Sequence, residues 1–459
     1  MNKQPPLSSA SASTTAAPRE PRGGSLLVIF LTVFVDLLGF GMVLPLLPIY
    51  AKYIAAEHGY SNLTVGALIG LLMSSFSIMQ FIFVPIWGRL SDRYGRRPIL
   101  MLGLAGSTFF YTCFGIATMY QSLLGLFICR IGAGIAGATI STAQAYIADT
   151  TTKEKRNKGM ALIGAAFALG FTLGPMLGIV ALLAGGNVTF SPWPGLVAAG
   201  FSGVALLLAI FVLPESLRGE SQRAEQHLFD RAALVSALST PSVGLLLLTS
   251  FIALFSFANF ETTLSLQVAQ LIEEMDAGGN VPTTVQAIVN RAKGWGYDQP
   301  EEIKLFVICA VFAYLGIVLT FAQGFLVRRL AGKIHEGSMA IGGGVLAIVG
   351  FLLLGWAAES ASFNLLLVAM SVEVVGFSLV SPSLQSLISR RSDPHKQGGI
   401  LGIAQSSASL SRILGPMFGN VLFARSAAWP YWAATGLMIL AVLLMLPATR
   451  GGSDYPGTK

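Results

Sequence analysis

The chain has 459 residues, of which 54% are hydrophobic and only 11% charged, with a mean hydropathy of +0.69. A soluble domain carries about 25% charged residues, so these figures exclude an ordinary water-soluble protein and place almost the whole chain in a bilayer. A net charge of +7 also fits a nucleic-acid binder, but its placement points to topology instead. With the amino terminus inside, the even-numbered connections between apolar segments hold about 17 Lys and Arg and the odd-numbered ones about five, as the positive-inside rule expects.

Residues 1–24 are rich in Ser, Ala and Pro and read as a disordered cytoplasmic tail. No cleavable signal is expected, because the first apolar run continues far past signal-peptide length. That run, about 25–50, is the first span. It carries Asp36, followed by Gly39, Gly41, Pro45 and Pro48. Asp36 lies ~11 residues in, or ~16 Å deep at 1.5 Å per residue. An ionised acid at that depth is costly and should face other helices or a water-filled cavity. The glycines and prolines predict a bent, closely packed helix.

Spans two and three, about 65–87 and 99–117, flank the run G-R-L-S-D-R-Y-G-R-R-P from Gly88 to Pro98. It reads as a tight basic hairpin on the cytoplasmic side. Asp92 is the one acid among Arg89, Arg93, Arg96 and Arg97, so it can pair with an arginine or cap a helix end. Span four, about 121–147, carries Arg130 and then G-A-G-I-A-G from Gly132. That spelling matches a dinucleotide fingerprint, but it lies inside a span with no preceding strand, so tight helix packing is the better reading. Arg130 is about as deep as Asp36, which makes a direct or water-bridged pair a reasonable expectation. Span five contains G-F-T-L-G-P-M-L-G, with Gly170, Gly174, Pro175 and Gly178. Span six ends near Leu213.

Residues 214–241 form the longest cytoplasmic segment and read as a linker between two halves, 25–213 and 242–448. The second half echoes the first. Gln144 recurs as Gln385, and Gly174, Pro175, Met176 and Gly178 recur as Gly415, Pro416, Met417 and Gly419 at the same offset. Duplicated halves are a transporter arrangement. The basic hairpin has a weak echo at Arg328, Arg329, Gly332 and Lys333. Span seven carries Asn259, Glu261 and Gln267. Residues 272–302 are expected to form an external insertion with a short helix. Span ten carries Glu373 and span eleven Arg412, the latter expected to be structural and to face the bundle interior. Residues 449–459 form a second cytoplasmic tail.

The run from Gly88 to Pro98 resembles the loop signature of the major facilitator superfamily. D-L-L-G-F-G-M-V-L-P-L-L-P in span one is similar to the first helix of its tetracycline/proton antiporters, and the motif in span five resembles that of drug:proton exchangers. The resemblance implies an all-α membrane protein of twelve transmembrane helices in two pseudo-symmetric six-helix bundles. It implies a cavity lined by spans one, four, seven and ten, which here carry Asp36, Arg130, Glu261 and Glu373. Asp36 and Arg130 are then the expected proton-coupling pair, and Asn259, Glu261, Gln267 and Glu373 the candidate substrate cavity. Gly88, Asp92, Arg93, Gly95, Arg96 and Arg97 are the expected conformational latch.

The resemblance fails for tetracycline itself. Those antiporters carry an acid in span three, where this chain reads S-T-F-F-Y from Ser107 to Tyr111. They also use a histidine in span eight and an acid in span nine, and both are missing. The four histidines, His58, His227, His335 and His395, lie outside the expected spans. An amphiphilic or cationic organic substrate is expected instead. Proton-coupled export by a monomer in the inner (plasma) membrane is the leading reading. Symport or facilitated uptake of a metabolite is the alternative, and a non-transporting sensor or scaffold a distant third. No enzyme, cofactor, metal site or nucleic-acid partner is expected. The cysteines Cys113, Cys129 and Cys309 lack metal-ligand spacing and read as small buried hydrophobes. The glycosylation-type sequons at Asn62 and Asn187 are expected to carry nothing.

Overall fold

The computed structural model describes residues 23–151, 153–184, 190–217, 241–278, 281–296, 299–330, 332–392 and 397–450. Most of the 214–241 linker, His227, His395, Asn187 and nearly all of both tails lie outside the described residues. The described helices make twelve passes. The first half contains α1 (Gly23–Val43), α2 (Leu47–Glu57), α3 (Asn62–Tyr94), α4 (Arg96–Met119) and α5 (Leu123–Ala136). It continues with α6 (Ile140–Thr150), α7 (Lys153–Ala184) and α8 (Trp193–Val212). The second half contains α9 (Pro241–Gly278), α10 (Thr283–Gly294), α11 (Pro300–Phe321), α12 (Glu336–Glu359), α13 (Phe363–Arg391), α14 (Gln397–Phe423) and α15 (Trp429–Arg450).

Among the described residues, ten passes are long and apolar enough to cross a membrane. The other two are α7, whose apolar stretch Leu169–Ala184 is shorter than a full span among the described residues, and α14. In α14 a polar stripe of Gln405, Ser406, Ser407, Ser409, Ser411 and Arg412 lowers the hydropathy, which suits a helix that lines a wet cleft.

Two spans are broken where the sequence places small residues or prolines. Span one breaks between α1 and α2, beside Pro45 and Pro48. Span four breaks at the 3₁₀ turn Gly137–Thr139, where Ala138 leaves the helical region (φ −73°, ψ 15°). The first break follows from proline chemistry. The second was not expected from the sequence.

The duplication is visible in the backbone. Gln121 (φ 51°) precedes the N-cap Ser122, and Ala361 (φ 50°) precedes the N-cap Ser362. Each serine accepts the N–H three residues on, the standard way to satisfy a helix start. Gly95 (φ 107°) and Gly332 (φ 78°) turn the corresponding hairpins. The repeated Gly-Pro-Met run also does the same work twice. A Cβ on Gly174 would lie 2.8 Å from Gly41 Cα, and one on Gly415 would lie 2.7 Å from Ala258 Cβ. So α7 crosses α1 as α14 crosses α9, backbone to backbone.

The halves meet along two matching seams, α3 against α14 and α7 against α11. In the first seam Ser74 Oγ donates to Ile413 O at 2.5 Å. In the second, Thr172 Oγ1 donates to Gly316 O at 2.8 Å. The α3 contacts come from the stretch Gly66–Ser74, remote from the basic hairpin. Toward the hairpin, α3 is half-exposed from Ser77 onward, and Gln405, Leu410 and Arg412 of α14 are exposed. The cleft between the halves is therefore closed at the end opposite the basic hairpin and open toward it.

Candidate functional site

Asp36 sits at the junction of α1, α4 and the break in span four. Ser107 Oγ of α4 donates to Asp36 Oδ1 at 3.0 Å, and Tyr111 OH donates to the Asp36 carbonyl at 3.2 Å. The carboxylate also packs on Gly137, where an added Cβ would lie 2.9 Å from Oδ2. Gln80 Nε2 donates to Gly137 O at 3.3 Å, which helps hold the 3₁₀ turn in place. A small recess lined by Thr32, Gly103 and Thr139 adjoins the carboxylate. These residues lie on the basic-end side of Asp36.

The expected direct Asp36–Arg130 ion pair is not formed in this structure: no such pair falls within 4 Å. Arg130 is 2% exposed and lies against two rings, 4.5 Å from the Phe76 centroid and 5.4 Å from that of Phe40. Cation–π contact with desolvated rings offsets part of the burial cost. Tyr111 lies within electrostatic reach of both Asp36 and Arg130. Arg130 therefore rests on aromatic faces while the Asp36 carboxylate is held by Ser107.

The second-half candidates separate. Asn259 is fully buried, and its amide donates to Pro430 O at 2.9 Å, so it serves the packing of α9 on α15 and does not line the cleft. Gln267 is 1% exposed. Glu261 is half-buried and within electrostatic reach of Arg412 and Glu373. Arg412 was expected to face the bundle interior but is exposed on the cleft side. Within the polar run of α14, Gln405 and Arg412 are exposed, while Ser411 is buried and donates to Phe251 O of α9 at 3.0 Å. Glu373 is fully buried against α12.

The basic hairpin forms a network within the first half. Arg96 pairs with Asp92, donates from Nε to Asp149 Oδ2 at 3.1 Å, and donates from Nη1 to Ser91 Oγ at 2.7 Å. Glu215, just past α8, accepts the Arg96 and Arg97 backbone N–H groups at 2.8 and 3.1 Å. It thereby caps the start of α4 with negative charge. Gly95 fits here because its φ of 107° disfavours a side chain and because Glu215 occupies the space a Cβ would need. Arg93 lies outside, over the Tyr94 ring, and Gly88 packs loosely toward Ser141. Glu215→Gln should cost about 1 kcal/mol, the scale of an anion at a helix N-terminus. The expected result is a lower melting temperature in detergent, and an unchanged one would deny the cap its role.

Sequence reasoning missed the network at the closed end. Lys304 Nζ of α11 donates to Tyr53 OH at 3.0 Å, to Glu273 Oε1 at 2.9 Å and to Glu301 Oε2 at 3.0 Å. Tyr53 OH also donates to Glu301. These contacts tie α2 of the first half to α9 and α11 of the second. Only the i, i+3 spacing of Glu301 and Lys304 was visible beforehand. Ser107, Tyr111 and Gln80 were missed for a similar reason: their partners are far away in sequence.

Comparison with known proteins places this architecture. The profile of the Major Facilitator Superfamily matches residues 29–334 and 299–458. The chain belongs to the major facilitator superfamily. It is 29% identical to the class C tetracycline resistance protein of Escherichia coli, over 94% of this chain and 97% of that one. It is 30% identical to major facilitator superfamily domain-containing protein 10 of Bos taurus, over 92% and 90%. The crystal structure of the human organic anion transporter MFSD10 (TETRAN) superposes with a TM-score of 0.63 at 26% identity, covering 93% of this chain and all of that one. A D-xylose–proton symporter superposes at 0.68 with 16% identity, over 93% and 98%, a likeness of fold alone. This superfamily member is a multi-pass membrane transporter of small molecules and not an enzyme.

Proposed function

We propose that the chain exports small amphiphilic organic molecules in exchange for protons, by alternating access. The observation that carries this is Asp36: a carboxylate deep in the first span, next to a recess on its basic-end side, held by a hydroxyl rather than a cation. Protonation there changes the net charge at the junction of α1, α4 and the span-four break. The crossing of α1 on α7 at Gly41 and Gly174 passes just beyond it, so a charge change at Asp36 acts where span one meets span five.

The relatives support an organic substrate. Some are named for tetracycline resistance, and one is described as an organic anion transporter. Phe40, Phe76 and Phe171 form an aromatic wall around Arg130, the surface that an amphiphile with rings would use. The basic end is cytoplasmic by the positive-inside rule, which puts both termini inside and the Lys304 network outside. On that assignment this conformation is open inward. The expected latch would hold the outward-open state; in this inward-open conformation Asp92 is already paired with Arg96, in a network with Asp149 that joins helices of the first half alone. The transporter works as a monomer in the plasma membrane.

The test is proton flux in proteoliposomes under an imposed pH gradient, against a panel of lipophilic drugs, organic anions and metabolites. Substrate and protons should move in opposite directions. Movement in the same direction would replace antiport with symport. Substrate movement without protons would leave a uniporter.

A further inference from the structure

Glu373 is the most completely enclosed acid among the described residues. Its exposure is 0%, and neither carboxyl oxygen has a hydrogen-bond partner. Helix α12 covers it so closely that a Cβ on Gly350 would lie 2.6 Å from Glu373 Cβ. The charged groups near it are few: Glu261 on α9, and beyond it Arg412 on α14. Helix α11 faces this part of α13 with Tyr314, whose hydroxyl shares a 2.8 Å hydrogen bond with Ser371, and α12 presents glycine and apolar side chains. Glu373 thus has another acid for its nearest charge and no cation of its own.

A fixed structural acid would have a partner. An isolated carboxylate out of water is so unfavourable that such groups neutralise instead. An unpartnered carboxylic acid costs far less, because only a hydroxyl goes unsatisfied. One turn toward the cytoplasmic end, Phe257 and Phe377 stack with their centroids 4.1 Å apart. They belong to the same two helices as Glu261 and Glu373, four residues away on each. The stack lies one turn closer to the open end than both acids, and Glu261 remains half-exposed.

We propose that Glu373 is a second proton-binding site, which holds its proton behind the Phe257–Phe377 stack and exchanges it with cleft water through Glu261. The proton leaves the Glu373 hydroxyl for a Glu261 carboxylate oxygen and then passes to water; no other bond changes. The site deepens the proton-exchange reading, on which its transport role rests. It gives the second half a carrier to match Asp36 in the first.

The experiment needs no substrate. Infrared spectra of the full chain in lipid nanodiscs are recorded through a pH titration, together with hydrogen–deuterium exchange. Wild-type protein should show a protonated-carboxyl C=O band that disappears in Glu373→Gln and persists in Asp36→Asn. Glu261→Gln should keep the band but slow its exchange at least tenfold. A Glu373→Gln spectrum identical to wild type would overturn the proposal, and unaltered exchange in Glu261→Gln would overturn the relay. Should the glutamine variant fail to fold, Glu373→Asp supplies the check: the band must move to the position of an aspartic acid. Loss of proton-driven transport in wild type with the band intact would sink the antiport reading and leave the site.

Discussion

Asp36→Asn is expected to reduce substrate-driven proton movement to the leak of protein-free liposomes, while substrate counterflow at equal pH continues. The argument is one of balance. An ionised aspartate at the centre of a span costs ~2.5–3.5 kcal/mol on insertion scales. A hydrogen bond to a charged group returns ~1.5–3 kcal/mol, and Ser107 supplies one. The two nearly cancel, so gaining or losing a proton lies within reach of the small energies of a transport cycle. Asparagine keeps the size and accepts the Ser107 bond, but it is fixed in the neutral form. It should leave the α1–α4 junction intact and remove only the titration. Undiminished proton coupling in this variant would relegate Asp36 to packing. Loss of both coupling and counterflow would mean that the residue holds the helices rather than the proton.

The fold was legible in the sequence because bilayer thickness and backbone chemistry leave few solutions. Apolar runs of spanning length, arginines on alternate connections and the repeated Gly-Pro-Met run were enough to give the passes and their duplication. The site was legible only where one residue type carries the signal alone. An acid in an apolar run can be read in isolation, and Asp36, Glu261 and Glu373 were. The partners of those acids could not be read. Ser107 and Tyr111 look like ordinary small and aromatic residues until α4 lies beside α1. Tyr53 lies 251 residues from Lys304, a pairing with no local trace. The direct form of the expected Asp36–Arg130 pair illustrates the same limit. Equal depth was legible, but azimuth was not, and Arg130 turns to Phe76 and Phe40 instead. Asn259 was misplaced likewise, because a polar residue at mid-span can face the cleft or cap a neighbouring backbone, and it caps Pro430.

Gly70→Val is expected to abolish transport while the protein still folds. At the closed end, opposite the basic hairpin, a Cβ at Gly70 would lie 2.8 Å from both Met417 Cα and Pro416 O. These are backbone atoms in the middle of α14, so no side-chain rotation relieves the clash. The helices within each half do not use this contact, which belongs to the seam between α3 and α14. The wedge therefore penalises one state of the cycle and spares the fold. Overpacking costs ~1–3 kcal/mol, and applied to one of two states it shifts their ratio by roughly 5- to 150-fold. The reporter is Ala424→Cys, beside Gly66 at the same seam. Its reaction with a membrane-impermeant maleimide from outside should rise by about that factor in the Gly70→Val background, read against the chain without the added cysteine. Slow labelling together with normal transport would show that this seam opens without passing through the contact seen here. Slow labelling with lost transport would show that the wedge damages α3 itself. Fast labelling with lost transport is the outcome that makes the α3–α14 seam the gate at this end.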